Sequence, residues 1–208
     1  MSRIEAVIFD CDGVIFDSHN ANLAYYNKIF SKFSYPLVRA DEKEKAHLCH
    51  TATSSVVLQE LMCDKDVEPA LTYASILDYR EFIPHMIPEP HLEEMLSELA
   101  GHYPLAIATN RGRSIEPVLD HFNLRNYFST VVTSHDVKQP KPAPDMLLLA
   151  ATILKVKAEN CLFVGDSDLD MRAADGASVP FVGYGGNVDA DVCLNSHAEL
   201  IPYLSNLG

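Results

Sequence analysis

Five short apolar runs, each too brief for a helix and bounded by polar residues, recur along this chain: "IEAVIF" at 4–9, "YPLAIAT" at 103–109, "TVVT" at 130–133, "CLFVGD" at 161–166 and "VPFVGY" at 179–184, with "DVCL" at 191–194 a weaker sixth. Continuous apolar runs, rather than alternating ones, belong to strands buried on both faces, as in a parallel sheet covered by helices. Helical spacing fills the gaps, with Leu92, Met95, Leu96 and Leu99, then Ile115, Val118, Leu119 and Phe122, then residues 146–154. The expected class is α/β, with a Rossmann-like parallel sheet.

Glycine marks an interruption in this pattern. Gly13 is followed by no other glycine until Gly101, and seven more fall from Gly112 onward. Between them the apolar residues keep helical spacing, as in Leu23, Tyr26, Phe30 and Phe33 behind a candidate N-cap at Ser18, and in Val57, Leu58, Leu61 and Met62. The block is expected to be three or four helices, broken near Pro36, Pro69 and the cluster Pro84, Pro88 and Pro90. Only one run precedes it, so it is expected as an insertion: residues 1–16 and 87–208 form a discontinuous α/β domain, and residues 17–86 a helical cap.

At 208 residues and 48% hydrophobic, the chain buries enough surface to fold without staples. Its 29 acidic and 16 basic residues give a net charge of −13, which disfavours nucleic acid and anionic membranes as partners. Cys11, Cys49, Cys63, Cys161 and Cys193 are odd in number, scattered and without a CxxC pair, as expected of reduced thiols and not of structural zinc. No apolar stretch reaches about 18 residues, and Met1 leads straight into a strand without a leader pattern. A cytoplasmic protein is expected. The sequence carries no signal of oligomeric state.

Ligands of open parallel sheets bind beyond the carboxyl ends of the strands. Three such ends are polar here: Asp10 and Asp12 in "FDCDGVIFDS", Thr109 and Asn110 in "ATNRG", and Gly165, Asp166 and Ser167 in "VGDSDLDMRAADGA". Residues two apart in an extended chain point the same way, which would aim Asp10 and Asp12 at one centre. The plainer alternative is a turn at Asp12-Gly13 with Asp10 as a cap. Asp166 and Asp170, four apart, would share a face on the opening turn of a helix ending near Gly176, with capping the plainer role for Asp168 and for Asp170. Converging carboxylates repel unless a cation lies between them, and an all-oxygen donor set suits Mg²⁺. A lysine from "VKQPKPAPD", either Lys138 or Lys141, would sit near them.

With these four segments in this order, the chain resembles the haloacid dehalogenase (HAD) superfamily, in its phosphatase branch with a helical cap after the first strand (similar to phosphoglycolate phosphatases and β-phosphoglucomutases). The counterparts are "DCDGV" at 10–14, "ATN" ending at Asn110, "KPAPD" at Lys141 and "GDSDLD" at Asp166 to Asp170. The resemblance implies a Mg²⁺-dependent phosphatase acting on a small phosphorylated metabolite. Asp10 would be the nucleophile that forms an aspartyl-phosphate, and Asp12 the acid and then the base. Mg²⁺ would be held by Asp10, Asp166 and the Asp12 carbonyl, with Asp170 supporting. Thr109, Asn110 and Lys141 would bind the phosphate, and Lys141 is preferred over Lys138 because it directly precedes "PAPD".

Asp12 argues for phosphoryl chemistry, since dehalogenases of the superfamily lack it. No cap lysine among Lys28, Lys32, Lys43, Lys45 and Lys65 is marked for Schiff-base chemistry. A sugar-phosphate mutase, sharing Val14, and a catalytically silent phosphate-binding protein stand as alternatives. Phosphoglycolate phosphatases tend to carry glycine in the cap loop, where this chain has "HLCHTATSS". His50, Thr51 and Ser54 there are candidate leaving-group contacts, with ordinary helix ends the plainer role. His47 and His50 have helical spacing but no acidic or cysteine partner nearby in sequence for a metal. Arg111 and Arg113 are expected to cover the rim of the site, with substrate contact as the alternative for both.

Overall fold

The structure, a computed structural model, describes residues 3–207. It separates into two compact units, one comprising the residues through Asp17 together with those from Pro88 onward, the other Ser18–Ile87.

The Ser18–Ile87 unit holds helices α1 (His19–Lys32), α2 (Lys43–Thr51), α3 (Ser54–Leu61) and α4 (Asp64–Ile76). Tyr26, Ile29 and Phe30 lie three and four residues apart on one face of α1 and enter a core with Cys49, Val57, Leu58, Val67 and Ala70. Two details depart from expectation. Ser18 is at the N-cap position of α1, as expected, but its side chain makes no capping bond to the backbone; its Oγ accepts a hydrogen bond from Asn22 Nδ2 at 3.3 Å. Pro69 does not interrupt a helix but sits inside α4. The break falls earlier, at Met62 and Cys63, both extended in backbone, and Asp64 and Asp66 then open α4 where its dipole favours acidic groups. Val67 and Ala70 are anchored in the core on either side of Pro69, so packing overrides the proline.

The other unit is built on a parallel sheet of β1 (Ala6–Phe9), β2 (Leu105–Thr109), β3 (Thr130–Thr133), β4 (Cys161–Gly165), β5 (Phe181–Tyr184) and β6 (Cys193–Leu194), in the order β3-β2-β1-β4-β5-β6. Every residue of β1, β2 and β4 is buried, as the unbroken apolar runs require. Helices α5 (Leu92–Leu99), α6 (Ile115–His121), α7 (Asp145–Leu154), α8 (Asp168–Ala177) and α9 (Leu200–Leu207) complete it. Met146, Leu147, Ala150, Ala173 and Ala174 pack with Ile8, Ala106 and Phe163, and each large side chain so buried contributes about 1.5–3 kcal/mol. Helix α8 ends one residue beyond Gly176, with Ser178 left-handed.

The chain adds β2 and β3 on one side of β1, then β4 to β6 on the other. This places the reversal of strand order beside β1, where open sheets leave a crevice at the carboxyl edge. Among the described residues no helix is long and apolar enough to cross a membrane, and all five cysteines are free thiols.

Candidate active site

Because the sheet is parallel, its strands deliver their carboxyl ends to one edge. Asp10 follows β1, Thr109 closes β2 and Asp166 follows β4. The backbone N–H of Asp10 donates to Val164 O at 2.8 Å, holding the first aspartate against the neighbouring strand. Beyond it the chain folds back: Ile15 N and Phe16 N donate to Cys11 O at 2.9 and 3.1 Å, and Gly13 N donates to Phe16 O at 2.8 Å. Gly13 adopts φ +80°, and a Cβ there would lie 2.1 Å from Asp166 Oδ2. Glycine thus provides both the turn and its close approach to the opposite carboxylate.

Asp10, Asp166 and Asp170 each present a carboxylate oxygen within 4.8 Å of the others, and all three are buried. Lys141 Nζ stands 2.7 Å from Asp10 Oδ1 and 2.6 Å from Asp170 Oδ1, itself only 5% exposed. Asn110 Nδ2 donates to the Lys141 carbonyl at 3.1 Å and anchors the loop that carries the lysine. Lys138 is exposed, so Lys141 is the lysine at the cluster.

Asp166 lies at the strand end, before α8, and not on its opening turn as its spacing from Asp170 suggested. Ser167 is the N-cap: its Oγ accepts from Asp170 N at 3.3 Å, and Asp170 Oδ2 accepts from Ser167 N at 3.2 Å. This capping box turns Asp170 back toward Asp166, with Oδ1 on Lys141 and Oδ2 on Ser167. Asp168 is exposed.

Burial, followed by the nearby carboxylates of Asp170, Asp166 and Asp12, pushes the Asp10 carboxyl well above its ordinary range, against the pull of Lys141. Burial works to lower Lys141, but Asp10 and Asp170 together hold it above its ordinary value. Lys141 thus joins two of the three buried carboxylates. A hard divalent cation fits the all-oxygen set of Asp10, Asp166 and Asp170.

Arg111 departs from the rim position expected of it. It is 8% exposed and forks onto Asp12, with Nε 3.1 Å from Oδ2 and Nη2 2.5 Å from Oδ1. Its backbone N–H donates to Thr109 Oγ1 at 3.1 Å, which turns the threonine hydroxyl hydrogen elsewhere as a donor. Arg113 is exposed.

In the helical unit, His50 is buried, 3.4 Å from Asn22 Nδ2 through Nδ1 and stacked on His19 at 3.6 Å between centroids. Asn22 Oδ1 accepts from Tyr79 OH at 3.0 Å. Thr51 Oγ1 donates to His47 O at 3.0 Å, and Ser54 Oγ lies 3.1 Å from Tyr26 OH. Among the described residues, the candidate metal cluster does not include His47 or His50.

Sequence reasoning assigned no capping or positioning role to Ser167, Asn22, Tyr79 or His197. The capping pattern Ser167-x-x-Asp170 was the available signal for the first. His197, 1% exposed, stacks on Tyr184 at 4.6 Å and donates from Nε2 to Val14 O at 2.7 Å, fixing the backbone just beyond the aspartate pair. No local pattern marks it.

A parallel α/β sheet with two aspartates after its first strand, a lysine beside them and a further acidic pair after the fourth strand defines a hydrolase of the haloacid dehalogenase type. The family model of haloacid dehalogenase-like hydrolases matches residues 7–184, and the chain belongs to that family. The phosphoglycolate phosphatase of Escherichia coli (strain K12) is 37% identical over 55% of this chain and 50% of its own length, so the match spans about half of that relative. The phosphoglycolate phosphatase of Salmonella typhi is 29% identical over 98% of this chain and 94% of its own. A crystal structure of a HAD-superfamily hydrolase, subfamily IA, variant 1, from Geobacter sulfurreducens PCA is 39% identical and superposes with a TM-score of 0.84, covering 96% of this chain and 99% of that one.

Proposed function

We propose that the chain hydrolyses the phosphate monoester of a small metabolite, with Mg²⁺ as cofactor and Asp10 as the covalent carrier of the phosphoryl group. The observation that carries this is the buried convergence of Asp10, Asp166 and Asp170 within 4.8 Å, with Lys141 on both Asp10 and Asp170.

Asp10 attacks phosphorus; a bond forms from its carboxylate oxygen, the bond to the leaving oxygen breaks, and Asp12 gives that oxygen a proton. Asp12 then takes a proton from water, the water oxygen bonds to phosphorus, and the electron pair of the broken P–O bond returns to Asp10. Thr109 and the Asn110 backbone are the proposed donors to the phosphoryl oxygens, and Lys141 offsets charge on those oxygens and on Asp10. Mg²⁺, bound by the Asp10 and Asp166 carboxylates and the Asp12 carbonyl with Asp170 behind them, would supply charge neutralisation at the phosphoryl group.

Phosphoglycolate is the first substrate to test, because the E. coli and S. typhi relatives bear its name. The glycine-free segment 47–55 favours including other small phosphates. Incubation with a panel of phosphometabolites and Mg²⁺ should release inorganic phosphate from at least one, with release stopped by EDTA and abolished in Asp10→Asn. Folded protein that releases none from any compound would reject the hydrolase function, and phosphate moved between positions of a hexose would indicate a mutase.

A further inference from the structure

We infer that Arg111 is a positioning residue for Asp12, and that it matters most when water attacks the phosphorylated Asp10; the inference rests on the phosphatase function proposed above. A buried arginine beside a phosphate site would ordinarily be assigned to the substrate. Here both arms of its fork meet the two oxygens of Asp12, at 3.1 and 2.5 Å, with Arg111 8% and Asp12 9% exposed. A fork fixes the plane of a carboxylate, which a single ammonium does not. The same residue also reaches Thr109 through its backbone N–H, so one strand end sets the aim of the acid-base carboxylate and of the phosphoryl donor together. Lys141 already serves Asp10 and Asp170. Each reacting aspartate therefore has its own cation: Lys141 for Asp10, and Arg111 for Asp12.

The test separates the two half-reactions with 4-nitrophenyl phosphate, whose leaving group departs as the phenolate without a proton. Phosphorylation of Asp10 then needs no proton from Asp12, whereas the attack of water still needs Asp12 as base. Stopped-flow traces with Mg²⁺ should show Arg111→Ala releasing a burst of nitrophenolate close to one equivalent of enzyme, then turning over roughly 10²-fold more slowly than wild type. Arg111→Lys, which keeps the charge and loses the fork, should retain the burst and turn over at an intermediate rate. On an alkyl phosphate, whose leaving oxygen needs the proton, both variants should lose kcat without a burst. Circular dichroism checks folding, and Arg111→Lys decides the matter if Arg111→Ala does not fold. Raised KM with unchanged kcat in these variants would overturn the inference in favour of substrate binding. So would wild-type kcat in Arg111→Lys, or its loss of the burst while folded. Wild-type protein that releases no nitrophenolate, and no phosphate from any compound of the phosphometabolite panel, would instead overturn the phosphatase function itself.

Discussion

Lys141 shows how much one side chain balances. Its Nζ pairs with both Asp10 and Asp170, and removing one member of such a buried set leaves charge uncompensated, at a typical cost of about 3–5 kcal/mol. Lys141→Met is expected to lower kcat by at least about 10²-fold and to lower Tm, read by steady-state phosphate release and thermal melts. An unchanged rate would remove the lysine from the chemistry. His197 carries a different prediction. Burial holds its imidazole down to about 4, below the ordinary 6.5. The unfolded chain therefore takes up this proton first as pH falls, so the histidine's contribution is complete above about pH 6.5 and is lost toward about pH 4, about 3 kcal/mol in all. Urea unfolding at about pH 7.5 and about pH 4.5 should show a smaller loss of stability in His197→Gln, which keeps a donor for Val14 O, than in wild type. Equal losses would place the acid sensitivity elsewhere. At this scale the sequence exposed the acids and the lysine, because their order along the chain is itself a pattern. The partners of Arg111 and His197 were hidden, because they lie 99 and 183 residues away in the chain.

Elements were legible where burial acts on contiguous residues. The run at 130–133 is β3 without adjustment, and the runs at 4–9 and 161–166 contain β1 and β4 to within two residues at either end. Ends set by capping were less legible. The start of α8 is fixed by the reciprocal bonds of Ser167 and Asp170, which moved Asp166 out of the helix. Ser167→Ala should cost about 0.5–2 kcal/mol by denaturant unfolding. It should also weaken turnover, since Asp170 loses the bond that turns it toward Lys141; full activity would separate the cap from the site. Pro69 misled because proline usually ends helices, whereas α4 continues through it with Val67 and Ala70 buried on either side. Pro69→Ala is therefore expected to raise stability by about 1–3 kcal/mol, measured by thermal unfolding. A loss of stability would show that α4 needs the proline.

At the scale of the whole molecule, a parallel sheet followed from continuous apolar runs, but the order β3-β2-β1-β4-β5-β6 did not, since pairing between distant strands leaves no local mark. That order brings residues 10, 109 and 166 to the edge where Asp10, Asp166 and Asp170 converge. Mg²⁺ should accordingly raise the Tm of wild-type protein and EDTA should reverse the rise, while Asp166→Asn should show neither. An equal rise in Asp166→Asn would put the ion elsewhere. The central claim is that Asp10 carries the phosphoryl group, and the direct measurement is borohydride trapping during turnover followed by peptide mass mapping. Reduction of an acyl phosphate at Asp10 would convert that residue to homoserine in wild type given substrate and Mg²⁺, and not without substrate. Rapid phosphate release with Asp10 left unmodified, under conditions that trap an authentic acyl phosphate, would contradict the account.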